Sequence, residues 1–326
     1  MMRTDLPTYL QWIEAEIKKQ NQGGSPKSLY DAQRYILTLG GKRVRPLLVA
    51  LSYLLYKDDV KKIIPFAVAV ETFHNFTLIH DDIMDSAPLR RGKKTVHEKW
   101  NTSTAILAGD TMMVNVYQQL SKLDPIALAK ALKIFNTMAL EVCEGQQWDM
   151  EFEKMDTVSE KAYINMIRQK TAVLLGFCLE FGGLLAGANS DDQIALRTLG
   201  LNIGIGFQLK DDLLDVYGNS NKTGKQLGGD IIANKKTFLL ITALSLAKGK
   251  EKVALKEWIV KKKFDKMEKV LAVTSIYDEL GIRSLTEKRI EKYFKIGFDS
   301  MDSLHIANHK KKELKEFVMS LLERQS

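Results

Sequence analysis

Two copies of one acidic pattern lie 130 positions apart in the sequence. They are Asp81-Asp82-Ile83-Met84-Asp85 and Asp211-Asp212-Leu213-Leu214-Asp215, and each follows an apolar stretch. Residues four positions apart share one face of a helix, so the first and last aspartates of each motif point the same way. Buried carboxylates are costly without partners, and carboxylate oxygens are ligands that Mg2+ prefers. The pattern therefore predicts two helix faces that bind Mg2+, an ion that proteins usually share with substrate phosphates.

Two basic clusters accompany the acidic motifs. One is Gly40-Gly41-Lys42-Arg43-Val44-Arg45-Pro46, and the other, Pro88 to Lys94, directly follows the first motif and contains Arg90 and Arg91. Glycine lets backbone amides approach an anion closely, and the planar guanidinium matches phosphate oxygens two at a time. The two clusters predict two phosphate-bearing ligands, one held through metal and one held without it.

The elements that must position these residues are predicted to be helices. Apolar residues recur at spacings of three and four, strand-like alternation is scarce, and the last of the six prolines is Pro125. Asp124-Pro125 and Ser25-Pro26 are typical of helix N-termini. No Gly/Ser-rich linker interrupts the chain. The sequence predicts one all-α domain over residues 1–326, with helices around a central cavity.

Composition narrows the classes of function. The net charge is +8, and from Lys248 onward 19 Lys or Arg stand against 13 Asp or Glu. No aromatic interleaving or nucleic-acid motif accompanies these charges, so we predict solvated helix surface rather than nucleic-acid binding. Two cysteines without metal-ligand spacing favour a reducing compartment. Without an uninterrupted apolar span or signal-peptide pattern, the expectation is a cytoplasmic protein with no integral membrane segment.

The chain resembles the trans-isoprenyl diphosphate synthases of the polyprenyl synthetase family. The resemblance rests on both acidic motifs with their lead-ins from His74 and Phe207, on Arg90-Arg91, and on four further segments. These are Gly40 to Pro46, Gly145 to Asp149, Lys170-Thr171, and Gly224-Lys225 with Asp230 to Thr237. It implies an isoprenoid-synthase helical bundle, a homodimer, and condensation of isopentenyl diphosphate with an allylic diphosphate, head to tail, with release of diphosphate.

The resemblance also implies roles for individual residues. Asp81, Asp85 and Asp211 would bind Mg2+ on the allylic diphosphate, with about three ions per site, supported by Asp82 and Asp215. Contacts to the same diphosphate would come from Arg90, Lys170, Lys225 and Lys235. Isopentenyl diphosphate would be held by Lys42, Arg45, His74 and Arg91, and Gly41 would also bind substrate. Thr171 and Gln208 would lie beside the reacting carbons, and Asp149 would lie in the second metal shell.

Residues upstream of the first motif limit product length in this family. Phe76 stands five positions before Asp81, about 7.5 Å along the helix, and Thr77 stands four before it. An aromatic followed by a small residue resembles short-chain geranylgeranyl (C20) synthases, with Phe73 as a second candidate for the pocket floor. A farnesyl (C15) or longer-chain synthase is the alternative product class. A terpene cyclase and a non-catalytic synthase subunit are the alternative protein classes, and both intact acidic motifs argue against them.

Overall fold

A computed structural model describes residues 6–21, 23–218 and 227–322 of the chain. The all-α prediction is confirmed: helices make up nearly all of the regular structure in these residues. The α-helices are, in chain order, Leu6–Gln20 (α1), Lys27–Thr38 (α2), Val44–Leu54 (α3), Ile64–Met84 (α4), Val96–Lys99 (α5), Thr102–Leu120 (α6), Pro125–Lys154 (α7), Glu160–Ile167 (α8), Val173–Ala186 (α9), Ser190–Tyr217 (α10), Gly229–Ile232 (α11), Phe238–Leu246 (α12), Gly249–Val260 (α13), Lys266–Glu279 (α14), Ile282–Asp302 (α15) and Asn308–Leu322 (α16).

Four short elements complete the regular structure of the described residues. Val60–Ile63 forms a 3-10 turn before α4, and Arg168–Ala172 forms a π-helical turn between α8 and α9. Strands Leu89–Arg90 (β1) and Lys93–Lys94 (β2) pair antiparallel, with Arg91 and Gly92 as the two-residue turn. Both turn residues have positive φ, as a hairpin turn whose twist matches the strands requires.

Helix starts follow the local sequence. Asp124 Oδ1 accepts hydrogen bonds from the Ile126 and Ala127 amides at 3.1 and 3.0 Å, and α7 begins at Pro125, which confirms that predicted cap. Asn101 caps α6 and Ser159 caps α8 in the same way. At the other predicted start, α2 begins directly after Pro26.

The chain divides into two compact units, each built from three segments. Unit 1 comprises residues 1–136, 177–196 and 305–310, and unit 2 comprises residues 137–176, 197–304 and 311–326. In unit 1, α4 packs closely on α6, since a side chain at Gly109 would overlap the His80 ring. In unit 2, Gly204 of α10 lies against Ala172 with equally little room for a side chain. Each unit contains one acidic motif; the prediction of a single domain stays a prediction.

One helical run is long and apolar enough to cross a membrane by length and composition. It spans Glu160–Ala186, and 78% of its most apolar window is buried within the protein. Burial of this kind is typical of a core helix in a folded domain.

Candidate active site

The first acidic motif occupies the last turns of α4. Asp85 is the residue after the helix end, and its amide donates to the Asp81 carbonyl at 2.9 Å. The Asp81 side chain is 23% exposed, whereas that of Asp82 is 1% exposed. The helix macrodipole places negative charge at this end, so carboxylates here are unfavourable without a cation.

Asp82 is held by an arginine of the β1–β2 hairpin. Arg90 Nε lies 2.9 and 2.8 Å from the two Asp82 carboxylate oxygens, and Arg90 Nη2 lies 2.7 Å from Oδ1. The same Nη2 is 3.6 Å from Asp81 Oδ2. A buried carboxylate and a guanidinium thus satisfy each other, and Asp81 and Asp85 are the more accessible carboxylates of this motif.

In the glycine-rich cluster Gly40 to Pro46, one basic residue has a structural role and another is accessible to solvent. Arg43 adopts left-handed φ, is buried, and binds Glu71 at 2.9 Å, Glu14 at 2.7 Å and the Leu37 carbonyl at 2.8 Å. It therefore fixes the loop between α2 and α3. Lys42, directly before it, is exposed.

Arg45, His74 and Arg91 form a cationic cluster in unit 1. Burial lowers the pKa of Arg45, and Arg91 lowers it further while Glu71 opposes both. Arg45 Nε is buried and has no hydrogen-bond partner among the described residues. Burial, Arg45 and Arg91 hold the pKa of His74 well below its usual range, so its imidazole is neutral. A buried donor and an excess of positive charge fit an anion that carries several oxygens.

Gly41 makes room for this cluster. A side chain at Gly41 would lie 3.0 and 3.1 Å from the two terminal nitrogens of Arg91, and the backbone there has φ +151. Gly41 therefore lets Arg91 lie against the loop that carries Lys42 and precedes Arg45 of α3. Of the residues assigned to isopentenyl diphosphate, the structure places Arg91 beside Gly41 and places His74 within the electrostatic field of Arg45 and Arg91.

The second acidic motif occupies the last turns of α10, which ends at Tyr217. Asp211 is exposed and Asp212 is buried. Asp215 Oδ2 accepts a hydrogen bond from the Asp230 amide at 2.9 Å, which ties this motif to α11. As in α4, three carboxylates stand at the negative end of a helix dipole.

Asp212 is the centre of a hydrogen-bonded chain in unit 2. Tyr163 donates its hydroxyl proton to Asp212 Oδ2, and Gln208 Nε2 donates to Asp212 Oδ1 at 3.1 Å. Thr171 Oγ1 in turn donates to Gln208 Oε1 at 3.2 Å. Burial raises the pKa of Asp212 to about 6, although Tyr163, Lys235 and Gln208 each lower it. The structure thus joins the two residues assigned to the reacting carbons, Thr171 and Gln208, through one hydrogen bond.

Two lysines assigned to the allylic diphosphate converge on Asp149. Lys170 Nζ is 2.6 Å and Lys235 Nζ is 3.9 Å from Asp149 Oδ2. Burial raises the pKa of Asp149, but Lys235 and Lys170 outweigh it and hold that pKa below the usual value. Lys170 lies on the π turn, and a side chain at Gly145 would be 2.2 Å from its amide nitrogen. Gly145 is therefore required for α7 to approach this turn.

Asp230 is a candidate that sequence reasoning did not assign. Burial and the neighbouring Asp212 and Asp215 raise the pKa of Asp230 to about 7, against a smaller opposing effect of Lys235. Its position between two glycines and Lys235-Lys236 was the available signal. Lys225, assigned to the allylic diphosphate, lies outside the described residues.

The donor sets fit Mg2+ by their chemistry. Each motif offers oxygen ligands at the end of a helix where a cation is favourable, and burial together with neighbouring carboxylates raises the pKa of Asp212 and of Asp230. Within residues 6–21, 23–218 and 227–322, no three His, Cys, Asp or Glu side chains converge on one point. Mg2+ commonly takes one or two protein carboxylates and completes its shell with water and phosphate oxygens.

Below the first motif, α4 presents an aromatic ladder. The Phe76 ring lies 4.8 Å from His80 and 5.6 Å from Phe73 between centroids, and Phe73 packs edge-on against Phe135 at 5.3 Å. Thr77 donates its hydroxyl to the His74 carbonyl at 2.8 Å. Phe76 therefore contacts the buried ring of Phe73 and the partly exposed ring of His80.

Comparison with known proteins gives consistent matches. A profile of the Polyprenyl synthetase family matches residues 26–277. The chain is 42% identical over 262 residues to a geranylgeranyl pyrophosphate synthase from Geoglobus acetivorans, which covers 78% of this chain and 81% of the relative. It is 39% identical over 241 residues to a farnesyl diphosphate synthase from Bacillus subtilis, covering 71% and 81%. A crystal structure of a geranylgeranyl pyrophosphate synthase matches with a TM-score of 0.94, 41% identity and 100% coverage of both chains.

Proposed function

Because the chain belongs to the polyprenyl synthetase family, we propose that it condenses isopentenyl diphosphate with an allylic diphosphate and releases diphosphate. The carbon–oxygen bond of the allylic substrate breaks, and the double bond of isopentenyl diphosphate attacks the allylic carbon. A proton then leaves the new chain and restores a double bond, with the released diphosphate as its acceptor. The chemistry needs no side-chain nucleophile, so the residues of the chain bind, orient and exclude water.

The observation that carries this proposal is the cationic cluster of unit 1. Arg45, with its buried Nε, lies in the electrostatic field of Arg91, and burial together with both arginines keeps His74 neutral. Such a cluster binds a diphosphate directly, without metal. We assign it, with Lys42 and Gly41, to isopentenyl diphosphate. This assignment leaves the acidic motifs for the other substrate.

We assign the acidic motifs to the allylic diphosphate. Asp81, Asp85 and Asp211 would hold Mg2+, with Asp215 and Asp82 in supporting positions. Bound Mg2+ supplies positive charge that stabilises the departing diphosphate. Lys170 and Lys235, which already share Asp149, add cationic charge on the same substrate, and Lys225 and Arg90 are assigned to it as well. Thr171 and Gln208 present neutral oxygens beside the allylic carbon.

The experiment that tests the reaction uses labelled isopentenyl diphosphate, Mg2+ and each of three allylic primers, with five, ten and fifteen carbons. Product that appears only with primer and Mg2+ supports the proposal. Products of chromatographic length C20 support a geranylgeranyl synthase, and accumulation at C15 supports the farnesyl alternative. Consumption of the allylic primer alone, with release of a cyclised hydrocarbon, would instead identify a terpene cyclase.

Product length is assigned to the aromatic ladder of α4. The Phe76 ring packs against the rings of Phe73 and His80, so it resists displacement by a growing chain. Thr77 leaves room beside it. We propose that Phe76 stops elongation at C20, in agreement with the relative from Geoglobus acetivorans. Phe76→Ala should give longer products on chromatography, whereas an unchanged product distribution would remove Phe76 from this role.

A homodimer is the proposed assembly. Helix α6 exposes Ile106, Leu107, Val114 and Tyr117, which recur at helical spacing on one side. A two-fold dimer places the same apolar surface of both copies together. Leu107→Glu should convert the dimer to a monomer in light scattering, while Glu substitution of Ile194, exposed on another helix, should not.

We propose a cytoplasmic location, supported by the two free cysteines, Cys143 and Cys178.

A further inference from the structure

Asp212 is a buried carboxylate whose two oxygens accept hydrogen bonds from neutral donors. Tyr163, which is 1% exposed, donates to Oδ2, and Gln208 donates to Oδ1. An ionised carboxylate accepts and cannot donate, so the Gln208 side chain must present its NH2 group to Asp212. The amide oxygen of Gln208 is then fixed on the opposite side, where it meets Thr171.

The same logic fixes the hydroxyl of Thr171. The Gln208 Oε1 atom is an acceptor, so Thr171 must donate its proton to it. The lone pairs of Thr171 Oγ1, and not its proton, then face away from Gln208. The direction of donation in this series of hydrogen bonds, from Thr171 to Gln208 to Asp212, is therefore set at its buried end. It is set there by Asp212 and by the second donor to Asp212, Tyr163.

The π turn at Arg168–Ala172 brings the two ends of this chain onto helix α10. In a regular α-helix, residues eight positions apart differ by about 80° in direction. The wider π turn holds an additional residue, so Thr171 rotates back toward the side on which Tyr163 lies. Tyr163 and Thr171 thus both contact α10, at Asp212 and Gln208 respectively.

We propose that Tyr163 is a positioning residue for the condensation, which acts through Asp212 to orient the Gln208 amide and the Thr171 oxygen. This inference rests on the proposed function, since that function places Thr171 and Gln208 beside the reacting carbons. Lone pairs directed at an allylic carbon that gains positive charge stabilise it, and a hydroxyl proton directed there does the opposite. Tyr163 itself does not touch substrate.

The test is Tyr163→Phe, which removes one oxygen atom and keeps the ring. Asp212 then lacks one of its buried donors and competes for others, so the amide of Gln208 loses its fixed orientation. We expect kcat to fall about tenfold while KM for both substrates stays within about twofold. The matched control is Tyr53→Phe in unit 1, a buried tyrosine that donates to Asp59 Oδ1 at 2.5 Å, and its kcat should be unchanged.

A double-mutant cycle separates positioning from general stability. In a Thr171→Val background, Tyr163→Phe should lower kcat less than twofold, because the end of the chain that it orients is gone. Should Thr171→Val be too slow to measure, Asp212→Leu replaces it as the background, since the polar link between Tyr163 and Gln208 is then absent. Circular dichroism and melting temperature confirm that each variant is folded.

The outcomes are distinct. A wild-type enzyme that turns over, with Tyr163→Phe at the same kcat or with fully additive effects in the cycle, overturns this inference and leaves the proposed function intact. A wild-type enzyme that shows no condensation with any allylic primer overturns the proposed function instead. A tenfold loss of kcat in Tyr163→Phe that disappears in the second background supports the inference.

Discussion

The two acidic motifs share one pattern, but their second aspartates have opposite kinds of partner. Asp82 binds a cation, because Arg90 donates to both of its oxygens at 2.8–2.9 Å. Asp212 binds the neutral donors Tyr163 and Gln208. Both carboxylates are buried and neither is the accessible member of its motif. The second aspartate therefore holds the β1–β2 hairpin through Arg90 in the first motif. In the second motif it holds the side chains of Tyr163 and Gln208.

The charged groups near the two motifs also differ in sign. In unit 1 the excess charge is positive, and burial with Arg45 and Arg91 keeps His74 neutral. Around Asp212 and Asp230 in unit 2 the neighbouring charges are mainly negative, and burial with neighbouring aspartates raises the pKa of Asp212 to about 6 and of Asp230 to about 7. The first region already contains cations and needs an anion, whereas the second contains anions and needs a cation. An anionic ligand in the first region and a cation in the second would compensate these charges.

The largest expected effect tests whether the motifs share one task. Asp81→Ala and Asp211→Ala should each lower kcat/KM about a thousandfold or more, because each removes a carboxylate proposed to hold Mg2+ on the departing diphosphate. Asp191→Ala, which removes an exposed carboxylate from the first turn of α10, is the control. Near-normal turnover in either motif variant would show that only one motif acts in the reaction.

A second prediction separates the ligands of the two regions. Arg45→Gln should raise KM for isopentenyl diphosphate about a hundredfold and leave KM for the allylic primer unchanged. Lys170→Gln should do the reverse, because Lys170 belongs to the carboxylate-rich region with Asp149. The exposed Arg283→Gln controls for loss of a cation. Equal changes of both KM values in either variant would contradict the division into two diphosphate sites.

The third prediction compares the glycines that make room for a base in each region. A side chain at Gly145 would overlap the Lys170 backbone at 2.2 Å, whereas one at Gly41 would meet the flexible end of Arg91 at 3.0 Å. Gly145→Ala should therefore lower the free energy of unfolding by about 3 kcal/mol, and Gly41→Ala by about 1 kcal/mol. Gly297→Ala, where the new atom meets only ordinary contacts at 3.4 Å, is the helical control in denaturant unfolding.

The fourth prediction concerns Asp230 and the carboxylates that lie near it in unit 2. Its pKa is about 7 in the folded protein and 3.8 in the unfolded chain, so the folded state binds the proton more tightly. Its contribution to stability is present below pH 3.8 and is lost as pH rises through 7. Asp230→Asn should raise the melting temperature at pH 8, without metal, by about 5 °C. Asp299→Asn, at an exposed carboxylate, is the control; an equal gain there would exclude a local cause.

The sequence predicts the helices well, because they follow from local spacing. The all-α architecture and the cap at Asp124-Pro125 need only neighbouring residues. Arg43 shows where local reasoning ends: its neighbours suggest phosphate binding, but Glu14 and Glu71, far away in sequence, bury it as a structural ion pair. Tyr163 and Asp230 depend in the same way on contacts between distant segments, and the π turn depends on packing against Gly145.

The smallest expected effect has the opposite sign and belongs to His74. Burial, Arg45 and Arg91 lower its folded pKa well below 6.5, so the unfolded chain binds a proton that the folded protein does not. Stability should therefore fall as pH drops below 6.5, and His74→Gln should flatten that decline by about 1 kcal/mol between pH 6.5 and pH 5. The exposed His309→Gln should leave the decline unchanged. Opposite pH slopes for the His74 and Asp230 variants are expected from the burial of each group together with the charges beside it, and slopes of equal sign would contradict the comparison.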